Sequence, residues 1–90
     1  MKVSNMTSNK GTTIPNQFII NTPNETFFQS YSSIIVKTTF ENGKRVVYLD
    51  ENKWNYSVTT SKYRNLFLGE TTKETQRKIK EGVYILTNLN

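Results

Sequence analysis

The sequence predicts an α+β domain: an antiparallel or mixed sheet of about five short strands, with two helices on one face. Runs of β-branched and aromatic residues are separated by turn residues. The dipeptide Asn42-Gly43 is the strongest hairpin signal, because both positions of a type I′ turn need positive φ. Two later segments each begin with paired threonines and end at Gly69 or Gly82, which is typical of capped helices. The predicted order is β-β-β-β-α-α-β.

The first 16 residues have the composition of a disordered basic tail. They are rich in Ser, Thr and Asn, contain Lys2 and Lys10 without any acidic residue, and end near Ile14-Pro15. We therefore expect residues 1–16 to be a tail and residues 17–90 to be a single α+β domain.

Strands are predicted at 18–22, 26–31, 33–40, 45–49 and 83–89. A two-residue turn at Asn42-Gly43 fixes the register of one hairpin, so that Phe40 faces Arg45 and Val36 faces Leu49. Period-two alternation then divides the hairpin into two faces. The predicted core face carries Ile34, Val36, Phe40, Val47 and Leu49. The half-polar face, which is either solvated or in contact with a partner, carries Ile35, Lys37, Thr39, Glu41, Lys44, Val46 and Tyr48.

Helices are predicted at 60–68 and 72–81. In the first, Tyr63, Leu66 and Phe67 have the spacing of a core-facing stripe. The second is almost wholly polar, with Ile79 as its strong apolar residue, and it begins with the capping box Thr71-x-x-Glu74.

The chain contains neither cysteine nor histidine. Disulfides and zinc sites of the Cys/His type are therefore excluded, and the commonest catalytic base and strongest side-chain nucleophile are missing. Asp50-Glu51-x-Lys53 has the composition of a metal-dependent nuclease motif, but it falls in a turn rather than on adjacent strands, so a solvated charged turn is the favoured explanation. Serines beside Lys62 are explained by helix capping. We expect no enzyme activity, no cofactor and no metal site. Because no apolar leader or span is present, we also expect a cytoplasmic protein without membrane contact.

The positive net charge predicts a first class of partner, anionic molecules such as nucleic acids. The net charge is +5, and bases outnumber acids in the first 16 and the last 33 residues. Lysines and arginines at helical spacing could neutralise phosphates, and Tyr48 could stack on bases beside two hairpin lysines. The alternative is a charged face that maintains solubility. The nucleic-acid-binding candidates are Arg64, Lys73, Arg77, Lys78, Lys80, Lys37, Lys44 and Tyr48.

Aromatic residues predict a second class of partner, a protein surface. Phe27 and Phe28 are adjacent on one predicted strand, so their side chains must point to opposite faces. One of them is therefore either covered by another segment or exposed as an interaction patch. The protein-interface candidates are Phe27, Tyr31, Trp54 and Tyr56. Strand 18–22 could also pair with its copy in a homodimer.

Two stretches of the chain resemble a family of small proteins encoded by phages, prophages and plasmids. The first is Phe28-Gln29-Ser30-Tyr31-x-Ser33-Ile34-Ile35. The second is Trp54-x-Tyr56-Ser57-x-Thr59-Thr60-x-Lys62-Tyr63-Arg64-x-x-Phe67-Leu68-Gly69, followed by Thr72-Lys73-Glu74, Ile79 and Gly82. The resemblance covers residues 17–90 and implies a mobile genetic element as the setting. It implies no particular activity.

The expected function is stoichiometric binding by a phage or mobile-element accessory protein. The favoured partner is a host protein or protein–nucleic-acid complex, as for an anti-defence (anti-CRISPR-like) inhibitor. The alternative is a small DNA- or RNA-binding protein that uses helix 72–81 and the N-terminal tail. The alternative predicts that Arg77→Glu with Lys80→Glu abolishes function, whereas protein binding predicts larger effects at Phe27 or Tyr56.

Overall fold

The computed structural model describes residues 1–90, which form six strands and two helices. The elements in chain order are β1 (Lys2–Thr7), β2 (Thr13–Asn21), β3 (Glu25–Ser30), β4 (Ser33–Glu41), β5 (Lys44–Asp50), α1 (Val58–Leu68), α2 (Thr72–Lys80) and β6 (Tyr84–Thr87).

All strands lie in one sheet in the order β1-β2-β3-β4-β5-β6. Each neighbouring pair is antiparallel except β5 and β6, which are parallel because the two helices lie between them in the chain. A parallel pair needs such a crossover, since a tight turn cannot join its ends. The sheet is thus mixed, and the predicted α+β class is confirmed with one strand more than expected.

The additional strand corrects the prediction of a disordered tail. Residues 2–7 form β1 and β2 begins at Thr13, upstream of the expected start of the domain. The edge position of β1 tolerates polar residues, because this strand pairs with β2 through its main chain and buries only the side chain of Met6. Since β2 is paired on both sides, strand 18–22 is no longer an edge that could pair with its copy.

The hairpin register predicted from Asn42-Gly43 is confirmed. Phe40 pairs with Arg45 and Val36 with Leu49, and the two turn residues have φ of 54° and 79°. Both values lie in the left-handed region that a type I′ turn requires.

The predicted division of β4 into two faces is wrong at its start. A β-bulge at Ile35 lets Phe28 pair with Val36 and Gln29 with Ile34, so the alternation changes phase. Ile35 and Val36 are both fully buried, whereas Ile34 is only half-buried. Phe40, expected in the core, is 71% exposed because it lies near the tip of the hairpin, two residues before the turn.

Capping residues fix both helices. Ser57, rather than a threonine, caps α1 by accepting a hydrogen bond from the Thr60 amide at 3.0 Å, and Gly69 ends the helix at φ 72°. The predicted capping box at Thr71 and Glu74 is present at the start of α2. Of the predicted α1 stripe, Tyr63 and Phe67 pack against the core, but Leu66 is 58% exposed.

The core lies between the helices and one face of the sheet. Its centre is Phe28, whose ring stacks on Phe67 of α1 at a centroid distance of 5.7 Å. The buried apolar residues are Met6, Phe28, Ile35, Val36, Val47, Leu49 and Tyr84. Ile79 of α2 packs against this cluster, as expected. Neither helix has the length and apolar character needed to cross a membrane.

Candidate functional site

The face of the sheet opposite the helices carries a row of side chains that crosses every strand. Strand pairing aligns Val3, Ile20, Phe27, Lys37, Tyr48 and Ile85. Since Phe28 contacts α1, alternation places Phe27 and its row on the other face. We call this row, together with Phe18, Ile34 and Val46 on the same face, the uncovered sheet face.

Apolar side chains form most of the uncovered sheet face, although Lys37 lies in the row and Gln29 lies between Phe18 and Ile34, and none of these residues is fully buried. Val3 is 54% exposed, Ile85 is 42% exposed, and the residues between them are half-buried. Antiparallel sheets that face water usually alternate apolar and polar residues, with the polar ones outward. Here apolar residues occur on both faces of β2, β3 and β6. Sequence analysis missed Val3, Ile20 and Ile85, although period-two alternation from Phe18 and from Tyr84 would have placed the two isoleucines there.

Charges at the hairpin end of this face are balanced. Lys37 forms an ion pair with Glu25 at 3.2 Å, and its ammonium lies 5.3 Å from the centroid of the Tyr48 ring. The Tyr48 hydroxyl donates a hydrogen bond to Glu41 at 2.6 Å, and this bond raises the tyrosine pKa. Lys44 pairs with Glu41 across the strands. Three of the predicted nucleic-acid contacts, Lys37, Lys44 and Tyr48, thus lie together. The carboxylates of Glu25 and Glu41 lie among them.

The four aromatic candidates do not form one surface. Only Phe27 belongs to the uncovered sheet face. Tyr31 is 54% exposed in the β3–β4 turn, where it adopts a φ of 54°. Trp54 packs against the core, and Tyr56, 49% exposed, lies beside α1.

Arg64 is a structural residue, which corrects its assignment as a nucleic-acid contact. Its side chain is fully buried, and its guanidinium lies 5.2 Å from the centroid of the Trp54 ring. It donates hydrogen bonds to the Trp54 carbonyl, to Asn65 Oδ1 at 3.0 Å and to Thr72 Oγ1 at 2.8 Å. These bonds join α1 to the segment before it and to the start of α2. Burial lowers the Arg64 pKa, against the opposing effect of the Glu70 charge.

The remaining nucleic-acid-binding candidates lie on α2, where two of them form ion pairs and two do not. Arg77 pairs with Glu81 at 2.9 Å, and Lys78 pairs with Glu70 at 2.7 Å. Lys73 and Lys80 are exposed and have no carboxylate partner. The cationic face of α2 is therefore smaller than its sequence indicates.

Glu70 is the centre of a polar network that holds α2 against β6. Its carboxylate accepts hydrogen bonds from Lys78 at 2.7 Å, from Thr75 at 2.6 Å and from the Tyr84 hydroxyl at 2.6 Å. Burial opposes ionisation of Glu70, but these three donors outweigh it and lower the carboxyl pKa. Burial raises the Tyr84 pKa, and the bond to Glu70 raises it further.

Acid should release this network. Because the pKa of Glu70 is below its ordinary value of 4.5, its stabilisation is complete above that value and is lost as pH falls through the lowered pKa. Urea unfolding at a series of pH values between about 6 and about 2.5 should show a steeper acid loss of unfolding free energy in the wild type than in Glu70→Gln. The exposed Glu51→Gln should keep the wild-type slope. Equal slopes in wild type and Glu70→Gln would contradict this role.

The acidic turn after β5 serves the main chain. Asp50 is 1% exposed and accepts hydrogen bonds from the Leu89 amide at 2.8 Å and the Asn52 amide at 3.2 Å. Burial opposes its ionisation, but the hydrogen bonds prevail and lower its pKa. Lys53 donates to Ser33 at 2.9 Å, while Glu51 is exposed. These contacts are those of a structural turn.

Comparison with known proteins gives one match. No curated protein and no solved structure matches the chain. One family model matches residues 1–82, and so includes β1 together with both helices. The chain belongs to DUF8033, a family of unknown function.

Proposed function

We propose that this protein binds a partner protein on the uncovered sheet face and acts by stoichiometric contact rather than by catalysis. The observation that carries the proposal is the row from Val3 to Ile85, which crosses all strands on the side without helices. Contiguous apolar patches on small proteins commonly mark sites of protein interaction.

Charge favours a protein over a nucleic acid at this face. Its lysines lie beside Glu25 and Glu41, so the hairpin end lacks the excess of cations that phosphate binding requires. Tyr48 is occupied by Lys37 over its ring and by Glu41 at its hydroxyl, so it is not free to stack on a base. Phe27 supplies an aromatic side chain near the centre, where protein interfaces concentrate their binding energy.

The resemblance to proteins of phages and plasmids supports a partner from the host cell. We propose a component of a host defence system, bound and blocked by contact. A cytoplasmic location follows from this proposal.

The test uses variants that change the exposed ends of the row. Protein captured from a lysate of the host should be identified, purified and titrated against the wild type, Val3→Lys and Ile85→Lys by calorimetry. Each variant should weaken binding at least about tenfold, since a lysine buried without a partner is costly. Leu66→Lys, which changes an equally exposed apolar residue on α1, is the matched control and should leave affinity within about twofold.

Two results would overturn the proposal. One is a partner whose affinity is changed by Leu66→Lys and by neither row variant. The other is a concentration-dependent homodimer that Ile85→Lys dissociates, because that result would assign the same face to self-association.

DNA or RNA binding is a second candidate, favoured by the unpaired exposed lysines Lys73 and Lys80 on α2. Contacts by these two residues alone predict a slope of about −2 for log affinity against log salt, measured by fluorescence anisotropy on duplex DNA. The double variant Lys73→Gln, Lys80→Gln should abolish that binding. Absence of binding at low salt would eliminate this candidate, because electrostatic attraction is strongest there.

A further inference from the structure

A cavity of about 740 Å³ lies beside α1, on the side of the sheet away from the proposed protein interface. Its apolar lining comes from Tyr56, Val58 and Leu66, which are 49%, 89% and 58% exposed. Its polar lining includes Ser61, Asn65 and Thr72. It is an open groove rather than an enclosed pocket, and its volume lies in the range of about 300 to about 1,000 Å³ that small-molecule sites have.

A buried cation lies behind the polar lining. Arg64 is fully buried and donates hydrogen bonds to Ser61 at 3.4 Å, Asn65 at 3.0 Å and Thr72 at 2.8 Å, all of which line the cavity. None of the ion pairs in the structure includes Arg64, and its Nε has no hydrogen-bond partner. Buried charges are normally paired, but no carboxylate contacts this guanidinium: the Trp54 ring lies 5.2 Å from it, and the Glu70 charge acts on it from outside hydrogen-bond distance.

The polar lining is a hydrogen-bonded group of side chains, beside which one lysine is exposed. The Thr72 oxygen accepts hydrogen bonds from Arg64 at 2.8 Å and from the Asn65 amide at 3.2 Å, and the Thr72 hydroxyl donates to Asn65 Oδ1 at 3.5 Å, the upper limit for a hydrogen bond. Lys62 is the single charged residue that lines the cavity, and its ammonium lies 5.4 Å from the centroid of the Tyr63 ring. A second cavity of about 500 Å³ shares Lys62 and Leu66 and also contains no acidic residue.

We propose that the cavity beside α1 binds a small apolar molecule that carries one carboxylate. The carboxylate pairs with Lys62 and lies beside the polar lining that Arg64 holds, so it places negative charge near the buried guanidinium. The apolar body packs on Tyr56, Val58 and Leu66. Charge complementarity selects an anion, because the lining offers a cation and no carboxylate. This site does not depend on the proposed protein interface.

The test compares 4-phenylbutyrate with its neutral amide, 4-phenylbutanamide, by titration of the ¹⁵N-labelled full chain. Both probes should shift the backbone amides of Val58, Lys62 and Leu66, and the acid should bind about fivefold more tightly, as expected for a partly exposed ion pair. Lys62→Gln should reduce that preference to within about twofold. Arg45→Gln, which changes an exposed cation near the β4–β5 turn, should retain it. Both variants change exposed side chains, so the fold is preserved.

Equal affinity for acid and amide would overturn the proposal, as would an acid preference that survives Lys62→Gln. Shifts confined to other parts of the chain, or no shift at millimolar probe, would also overturn it. A blocked Leu-Asp-Leu peptide is the third arm of the titration. If the peptide binds more tightly than 4-phenylbutyrate by about tenfold or more, the groove belongs to a protein segment and the small-molecule assignment is wrong.

Discussion

Replacement of Arg64 by methionine is expected to lower the free energy of unfolding by about 3–5 kcal/mol. Methionine fills part of the volume but donates no hydrogen bonds. The Trp54 carbonyl, Asn65 and Thr72 would each lose a donor in a partly buried place, and an unsatisfied buried group costs about 1–3 kcal/mol. Since small domains have only about 5–15 kcal/mol in total, Arg64→Met should come close to unfolding the protein.

Urea unfolding followed by circular dichroism measures this effect. Lys73→Met removes an exposed cation from α2 and should change the free energy by less than about 0.5 kcal/mol. Arg64→Lys keeps the charge but lacks the planar fork, so it should remain substantially destabilised. A stable Arg64→Met, within about 1 kcal/mol of wild type, would contradict the structural role given to this arginine.

Phe28→Ala is expected to cost about 3–4 kcal/mol in unfolding free energy. Phe28 is fully buried, and its ring stacks on Phe67 of α1 at a centroid distance of 5.7 Å. The truncation would remove that contact and leave a cavity which the paired strands β2 and β4 prevent from collapsing.

Phe27 is the matched control, because it is the same residue type at the next position of the same strand. It is only half-buried on the uncovered sheet face, so Phe27→Ala should cost less than half as much. Denaturant midpoints of the two variants measure the difference. Equal losses would mean that the uncovered sheet face is as well packed as the helical face, and would remove the basis for an interaction surface there.

The elements that sequence analysis predicted correctly are those with local chemical causes. Asn42-Gly43 fixed the β4–β5 register because the turn requires two residues at positive φ. The Thr71–Glu74 capping box fixed the start of α2 in the same way. Both signals depend on neighbouring residues alone, so tertiary contacts did not alter them.

The errors arose where tertiary pairing outweighs local composition. Strand β1 is polar and was expected to be disordered, because nothing in its own sequence shows that β2 will pair with it. The bulge at Ile35 was equally invisible, since an extra residue in one strand is defined only against its partner. This one extra residue places Ile34 on the face opposite to the predicted core face.

Arg64 was misassigned because composition does not distinguish a buried cation from an exposed one. A signal was present: Arg64 is four residues after the buried Thr60 and three before Phe67, on the stripe of α1 that faces the core. Because charged side chains are rarely buried fully, the prediction followed the residue type of Arg64 and not its position on this stripe.

The central claim is that a protein partner covers the uncovered sheet face, and methyl NMR of isoleucine tests it most directly. Ile19 and Ile20 are adjacent on β2 and point to opposite faces of the sheet. Ile79 of α2 and Ile85 of β6 likewise lie on opposite sides of the sheet. A soluble spin label broadens the NMR signals of exposed methyl groups. When the captured partner is added, the account predicts that the methyl signals of Ile20, Ile34 and Ile85 become protected from this broadening. Protection of Ile79 instead, with Ile20 and Ile85 unchanged, would contradict it.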